Sequence, residues 1–484
     1  MTAATLAAAF VILLGGGFGV WWAFLRNGES PTVSAGDSGD TGGSGDAQGN
    51  AGGDAPAEES YVLDGAAAWQ EPFSGDPEAD YGYGAWLSED AVVRVSPAAV
   101  TAYSRESGEQ VWQAPVEGNT RICGMSEDTS EGLGIIALAG QAQSEYSPDP
   151  AWICTDVAAV DLATGEVRWK SQLPAADPFT AGSDVPHLVP VGDAVAVEYD
   201  DHYSAFTLAD GTARWSKLDG LRVDPDDTCV TNGVRATADA SALVALWSCS
   251  HYENGDRSML VRVDPASGAV TRQWEHVPVG DPGLSELVSA EPVAVVNPSD
   301  PVGGTEGAIV VFGADGDVAS TIPTAGEWGD LKLLTLRSSP PHSTASPSSA
   351  PVLAADGLLV GTTVPVQTSE VRSSSEVVVF DLAAGEVRWH RALSENAEAV
   401  PVQVDGDRLI AITAGVIDEP SQVYSLDLAD GAPTPLSPGL SDADGEPLFG
   451  VPLYADMLWA DDQLYFSSHQ PGPSTPETAL YGVR

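Results

Sequence analysis

Four cysteines and seven histidines are the side chains of this chain best suited to chemistry, and their spacing removes most of it. Cys123, Cys154, Cys229 and Cys249 form no Cys-x-x-Cys pair, so neither a zinc knuckle nor a thioredoxin-like site is spelled out. His187, His202, His251, His276, His342, His390 and His469 never fall in the H-x-x-x-H or H-E-x-x-H spacing that puts two imidazoles on one metal ion. Tyr199-Asp200-Asp201-His202-Tyr203 sets two carboxylates beside an imidazole, but in a chain this acidic it reads as a solvated loop. An EF-hand starting at Asp442 fails, because Pro447 stands where the loop needs glycine and Leu453 where a glutamate must close it. No catalytic, cofactor-binding or metal-ligating residue is assigned.

Charge narrows the partners. Twenty Lys plus Arg stand against 70 Asp plus Glu, a formal net charge of −50 in 484 residues. Phosphate backbones are bound by clustered bases, so nucleic acid is excluded as a partner. The acid excess reads as a solvated, aggregation-resistant surface.

The elements that must position any site are announced by a recurring string, Gly-x-x-x-Trp. It stands at Gly65/Trp69, Gly108/Trp112, Gly165/Trp169, Gly211/Trp215 and Gly385/Trp389, with a stretched copy at Gly268/Trp274 and Trp-less copies at Gly316 and Gly431. Successive glycines are 43, 57, 46, 57, 48, 69 and 46 residues apart, so eight units of similar size account for the chain after residue 60. Periods of this length mean a propeller or a repeat array. The second unit is the clearest: apolar runs at Gly132–Gly140 and Asp156–Leu162, a tight turn at Ala163-Thr164-Gly165, then Glu166–Lys170. Each unit is therefore expected to be a four-stranded antiparallel sheet whose apolar faces are buried by stacking on its neighbours. Trp69, Trp112, Trp169, Trp215, Trp274 and Trp389 are assigned to packing between units, because an asymmetric ligand on the axis would touch only some of them.

The Ala159–Trp169 segment, Ala-Val-Asp-Leu-Ala-Thr-Gly-Glu-Val-Arg-Trp, resembles the tryptophan-docking motif of pyrroloquinoline-quinone-like repeats. Partial copies lie at Ala102–Trp112, Ala205–Trp215 and Val379–Trp389. The resemblance implies an all-β, eight-bladed quinoprotein-like propeller over residues 61–484, as in quinoprotein dehydrogenases and an outer-membrane assembly lipoprotein. The catalytic branch holds its quinone between a tryptophan and a disulfide of adjacent cysteines, with calcium beside it. This chain has no adjacent cysteines, so no cofactor is expected.

The ends of the chain and the cysteines fit that ring. Asp64–Trp69 supplies a turn and an outer strand without the rest of a blade, and Ala479–Arg484 supplies the missing partner. Pairing them closes the last blade and hides an open edge. Cys123 and Cys154 are 31 residues apart in the second unit, and Cys229 and Cys249 are 20 apart in the fourth. Units two and four are not neighbours, so the bridges expected are Cys123–Cys154 and Cys229–Cys249. Two longer loops, 141–150 and 337–351, break the even spacing and are where individuality is expected.

Ahead of the ring, residues 1–26 carry the uncharged run Leu6–Leu25, long enough to cross a bilayer as one helix, with Trp21 and Trp22 near its end. Residues 27–60 are Gly, Ser, Asp and Ala with no base, a flexible acidic linker. Arg26 alone votes for a C-terminus inside, whereas paired cysteines require an oxidising compartment. The expectation is a single-pass plasma-membrane protein with its propeller outside, a noncatalytic binding or scaffold module for an envelope protein or glycan. A quinone-dependent dehydrogenase and an envelope-ligand sensor are the alternatives.

Overall fold

Strands form where the sequence alternates short apolar runs with Gly, Asp and Asn turns, and burial sorts those strands by radius. The second strand of the first blade, Ala91–Val95, is buried at every position, while its fourth strand, Gln110–Pro115, is exposed or half-buried throughout. A strand flanked on both faces by neighbouring sheets must be apolar on both; one at the rim need not be. The computed structural model describes residues 61–76, 80–142, 151–174, 186–199, 202–217, 228–251, 255–276, 285–298, 306–332, 352–369, 373–415, 419–448, 455–469 and 478–484. The membrane helix expected over 1–26, the linker expected over 27–60 and most of the two long loops lie outside these residues. Among the described residues no helix is long and apolar enough to cross a membrane.

Eight four-stranded antiparallel sheets are present among the described residues, each a meander. Blade 1 runs from Gly84 to Pro115, blade 2 from Thr120 to Gln172, blade 3 from His187 to Lys217 and blade 4 from Thr228 to His276. Blade 5 runs from Glu286 to Pro323, blade 6 from Leu353 to Ala392 and blade 7 from Glu398 to Pro435. Blade 8 takes its three inner strands from Ala455–Ala460, Gln463–Ser468 and Thr478–Val483, and its outer strand from Ala67–Pro72 at the other end of the chain. The expected closure is present: Trp69 pairs with Gly482 and Gln70 with Tyr481.

The first strands of consecutive blades touch and so line the axis, blade 8 meeting blade 1. The hydrophobic core is correspondingly divided into eight clusters, one per junction. Ile135, Val157 and Trp169 of blade 2 meet Val195 and Phe206 of blade 3 in one, and Trp69, Tyr465 and Leu480 of blade 8 meet Ala85 and Val92 of blade 1 in another. No blade buries both faces alone, so the ring is stable only when complete. Two small hairpins, Ala325–Gly326 with Gly329–Asp330 and Val366–Gln367 with Ser373–Ser374, decorate blades 5 and 6.

Candidate functional site

Each docking side chain is aimed by a β-bulge. In seven blades the ladder between the third and outer strands holds one extra residue: Ala68, Val111, Arg168, Arg214, Thr271, Ala319 or Arg388. An extra residue bends the strand and re-aims the side chain after it. Trp69, Trp112, Trp169, Trp215 and Trp389 follow that residue directly, and each indole lies on the turn glycine of the next blade. A β-carbon placed on Gly108, Gly165, Gly211, Gly268 or Gly431 would stand 2.4–2.7 Å from the ring it faces. These glycines also hold φ between +65° and +75°, so glycine is required twice over. In four of the five, indole Nε1 completes the lock by donating to the carbonyl three residues before the glycine: Trp69 to Arg105 at 3.2 Å, Trp169 to Leu208 at 2.6 Å, Trp215 to Pro265 at 3.0 Å and Trp389 to Leu428 at 3.0 Å.

Trp274 departs from this arrangement. Arg272 holds the docking position of blade 4, opposite Arg262, and Trp274 stands two residues further on, opposite Leu260. Its ring comes only within 3.3 Å of a β-carbon on Gly316, and its Nε1, like that of Trp112, has no hydrogen-bond partner among the described residues. Arg272 replaces the missing donor by hydrogen-bonding the Ala314 carbonyl while its guanidinium lies over the Trp274 ring. In blade 5 the position belongs to Ser320, which touches Gly385 directly. The indole of that junction comes instead from Trp328 in the small hairpin, which meets Phe380 of blade 6 edge-on at 6.2 Å, whereas Trp169 stacks on Phe206 of blade 3 at 6.5 Å. Sequence reading missed Trp328, because it lies outside the repeat.

Cys123 and Cys154 are joined, with Cα atoms 6.2 Å apart. Bulges in the blade 2 ladders at Cys123 and at Thr155 interrupt the sheet beside them. Cys229 stands directly across the ladder from Cys249, Cys249 is disulfide-bonded, and no described cysteine is free. The Cys123–Cys154 bridge is buried among Ile135, Ile153 and Val157 inside the junction of blades 2 and 3. Such a bridge offers no face to a flat ring, so the described residues do not fit the quinone cradle. Among them no group of three His, Cys, Asp or Glu side chains is placed to hold a metal ion.

Polar side chains gather instead at three blade junctions. At the closing seam Arg105 donates to the Tyr465 hydroxyl at 3.0 Å, the Asp461 carboxylate at 2.8 Å and the Glu89 carbonyl at 3.0 Å, and Arg484 donates to the Arg105 and Glu106 carbonyls. Glu89, Asp90, Glu106 and Asp461 surround these two guanidiniums in a hollow of about 400 Å³. Near the axis, Arg235 of blade 4 reaches Glu127 of blade 2 at 3.0 Å. Burial pushes Glu286 of blade 5 above the usual carboxylate range, and Arg235 partly offsets this. Between blades 5 and 6, Glu327, Trp328, Val387, Arg388, Trp389 and His390 line a second hollow of about 370 Å³. There His390 Nδ1 lies 2.5 Å from Glu376 Oε2 and Nε2 lies 3.7 Å from Glu327 Oε1.

Residues 96–297, covering the outer half of blade 1, blades 2 to 4 and part of blade 5, match the family profile described as outer membrane protein assembly factor BamB. The ring is a quinoprotein-like propeller. No curated protein sequence matches the chain. A quinohemoprotein alcohol dehydrogenase, ADHIIG from Pseudomonas putida HK5, shares the propeller fold: 11% identity, TM-score 0.50, covering 86% of this chain and 76% of that one. BamB from Moraxella catarrhalis aligns at 14% identity and TM-score 0.44, covering 82% of this chain and 95% of that one. The quinohemoprotein alcohol dehydrogenase from Comamonas testosteroni aligns at 11% identity and TM-score 0.47, covering 86% and 75%. The quinoprotein-like propeller thus serves both an assembly factor and dehydrogenases, and its fold alone does not choose between them.

Proposed function

We propose that this chain is a noncatalytic binding or scaffold module, held outside the plasma membrane by a helix at Leu6–Leu25 and an acidic tether over 27–60. The observation that supports this best is the character of its hollows. Those at the seam and beside Trp328 are shallow, charged and set at blade junctions, whereas a catalytic pocket has to enclose its substrate and exclude water. Open charged surfaces suit the side chains of a macromolecular partner. The buried Cys123–Cys154 bridge supports an oxidising compartment, hence a propeller on the outer side. The partner is an envelope protein or glycan.

Cross-linking on living cells, followed by identification of what is captured, tests this reading. A reproducible envelope neighbour is the expected result. The dehydrogenase reading is tested on the purified protein with pyrroloquinoline quinone and calcium; a stoichiometric bound chromophore would overturn the noncatalytic assignment.

A further inference from the structure

The hollow beside Trp328 sets an imidazole nitrogen and a carboxylate side by side. Glu376 as a carboxylate only accepts, so the 2.5 Å contact requires a proton on His390 Nδ1. A neutral imidazole then turns Nε2 into an acceptor, and Nε2 faces a second acceptor, Glu327 Oε1, at 3.7 Å. That separation is too long for a direct hydrogen bond but short enough for one group to donate to both atoms at once. A group carrying two or more N–H donors satisfies both.

The remaining wall favours positive charge. The Trp328 ring lies 6.2 Å from the imidazole at 45°, and an aromatic face attracts a cation. The ring is fixed in advance: Phe380 meets it edge-on at 81°, and a β-carbon on Gly326 would stand 2.2 Å from it. Arg388 is the one base among the six lining residues, set against Glu327 in the lining, Glu376 behind the imidazole and a chain charge of −50. An open hollow of about 370 Å³ suits a side chain delivered by a partner better than a free metabolite.

We infer that this hollow takes the ammonium group of a lysine from a basic segment of a partner protein, seated on Trp328 between His390 Nε2 and the Glu327 carboxylate. The inference rests on the binding reading above and names the chemistry of its partner. The unlike charges also steer encounter over a longer range than the contact itself.

The test uses the full chain with 13C-labelled histidine and follows the His390 ring by NMR. Nα-acetyl-lysine methylamide is the probe, and its norleucine counterpart is the uncharged match. The lysine probe is expected to shift His390 saturably and the norleucine probe not to. Affinity should fall about tenfold in Glu327→Gln, an exposed position, and by a similar factor in Trp328→Leu. Glu109→Gln, on blade 1, should bind as the parent does. A His390 signal unmoved by lysine, or an equal loss in Glu109→Gln, overturns the proposal. So does an imidazole found charged under the conditions of the titration, since an imidazolium would itself supply the missing donor. Cross-linking reports partners wherever they bind, so a captured neighbour with an inert hollow removes this inference and leaves the scaffold reading standing.

Discussion

The indole of Trp169 occupies the space that a side chain on Gly211 would need. A β-carbon there would stand 2.5 Å from the ring, and Nε1 donates 2.6 Å to the Leu208 carbonyl of the same turn. One blade is thereby joined to the next by a shape fit and a hydrogen bond that depend on each other. Trp169→Ala is expected to cost about 3–5 kcal/mol, from lost burial and an orphaned carbonyl. Gly211→Ala should cost several kcal/mol in the parent protein but much less once Trp169 is alanine. Chemical denaturation of both single variants and the double variant measures the coupling, expected at about 1–3 kcal/mol; simple additivity would refute the lock.

Gly316 separates the two demands made on these glycines. Its φ of +77° is close to the +70° of Gly211, so alanine meets similar backbone strain at both. The nearest indole atom, however, is 3.3 Å from a β-carbon at Gly316, because Trp274 sits two residues beyond the docking position. Gly316→Ala should therefore cost little more than the left-handed backbone penalty of about 1–2 kcal/mol. Gly211→Ala should cost at least twice that in the same denaturation experiment. Equal losses would mean that the indole contact contributes nothing.

Arg105 ties the closing seam through groups that lie more than 350 residues away in sequence, Tyr465 and Asp461. Its side chain is 12% exposed, so water replaces those contacts poorly. Arg105→Ala is expected to cost about 1–3 kcal/mol. Hydrogen exchange should quicken first in Ala67–Pro72 and Thr478–Val483, the strands that close blade 8. Exchange that rises uniformly around the ring would show that the seam is no weaker than other junctions. Deleting Ala479–Arg484 should open the ring altogether.

The repeat made the fold legible because a turn glycine with positive φ has few substitutes, so Gly65, Gly108 and Gly165 mark their blades in plain sequence. Closure was legible for the same reason, since a turn at Gly65 without earlier strands requires a partner from the other end. The bulge was hidden in the spacing itself: three residues between glycine and tryptophan include the extra one that aims the ring. What escaped lies across strands. Trp328 fills a junction from a hairpin outside the period, and His390 meets Glu376 only because the third and fourth strands of blade 6 pair. Trp274 packs in the blade 4–5 junction as its type suggested, 6.4 Å from Phe312, but from two residues beyond the docking position, which register gives to Arg272.

The Cys123–Cys154 bridge closes a loop of 31 residues across blade 2. A crosslink of that span acts mainly by restricting the unfolded chain, so replacing both cysteines with serine should lower stability by about 3–4 kcal/mol. Reductant should lower the melting temperature of the parent and leave the Cys229 and Cys249 pair as the only contributor in the double variant. A double variant as stable as the parent would assign the bridge no structural role.

Acid should expose the turns before the core. In the turn of blade 4 the Ser241 backbone N–H at 3.0 Å, together with the Ser241 and Thr237 hydroxyls, holds the Asp239 carboxyl down to about 2. The folded value lies below the unfolded one of about 3.9, so the folded state binds this proton less readily. The contribution is therefore complete above pH 4 and is lost as pH falls toward 2. Asp193 and Asp405, lowered by hydrogen bonds from Arg214 and Arg408, act in the same direction, so the whole protein will lose stability over this range with or without Asp239. The informative quantity is the difference between the parent and Asp239→Asn, which keeps an acceptor oxygen but cannot titrate. The two melting temperatures should differ at neutral pH and converge as pH falls from about 4 to 2. A gap that stays constant through that window would mean that the carboxylate's charge plays no part in holding the turn.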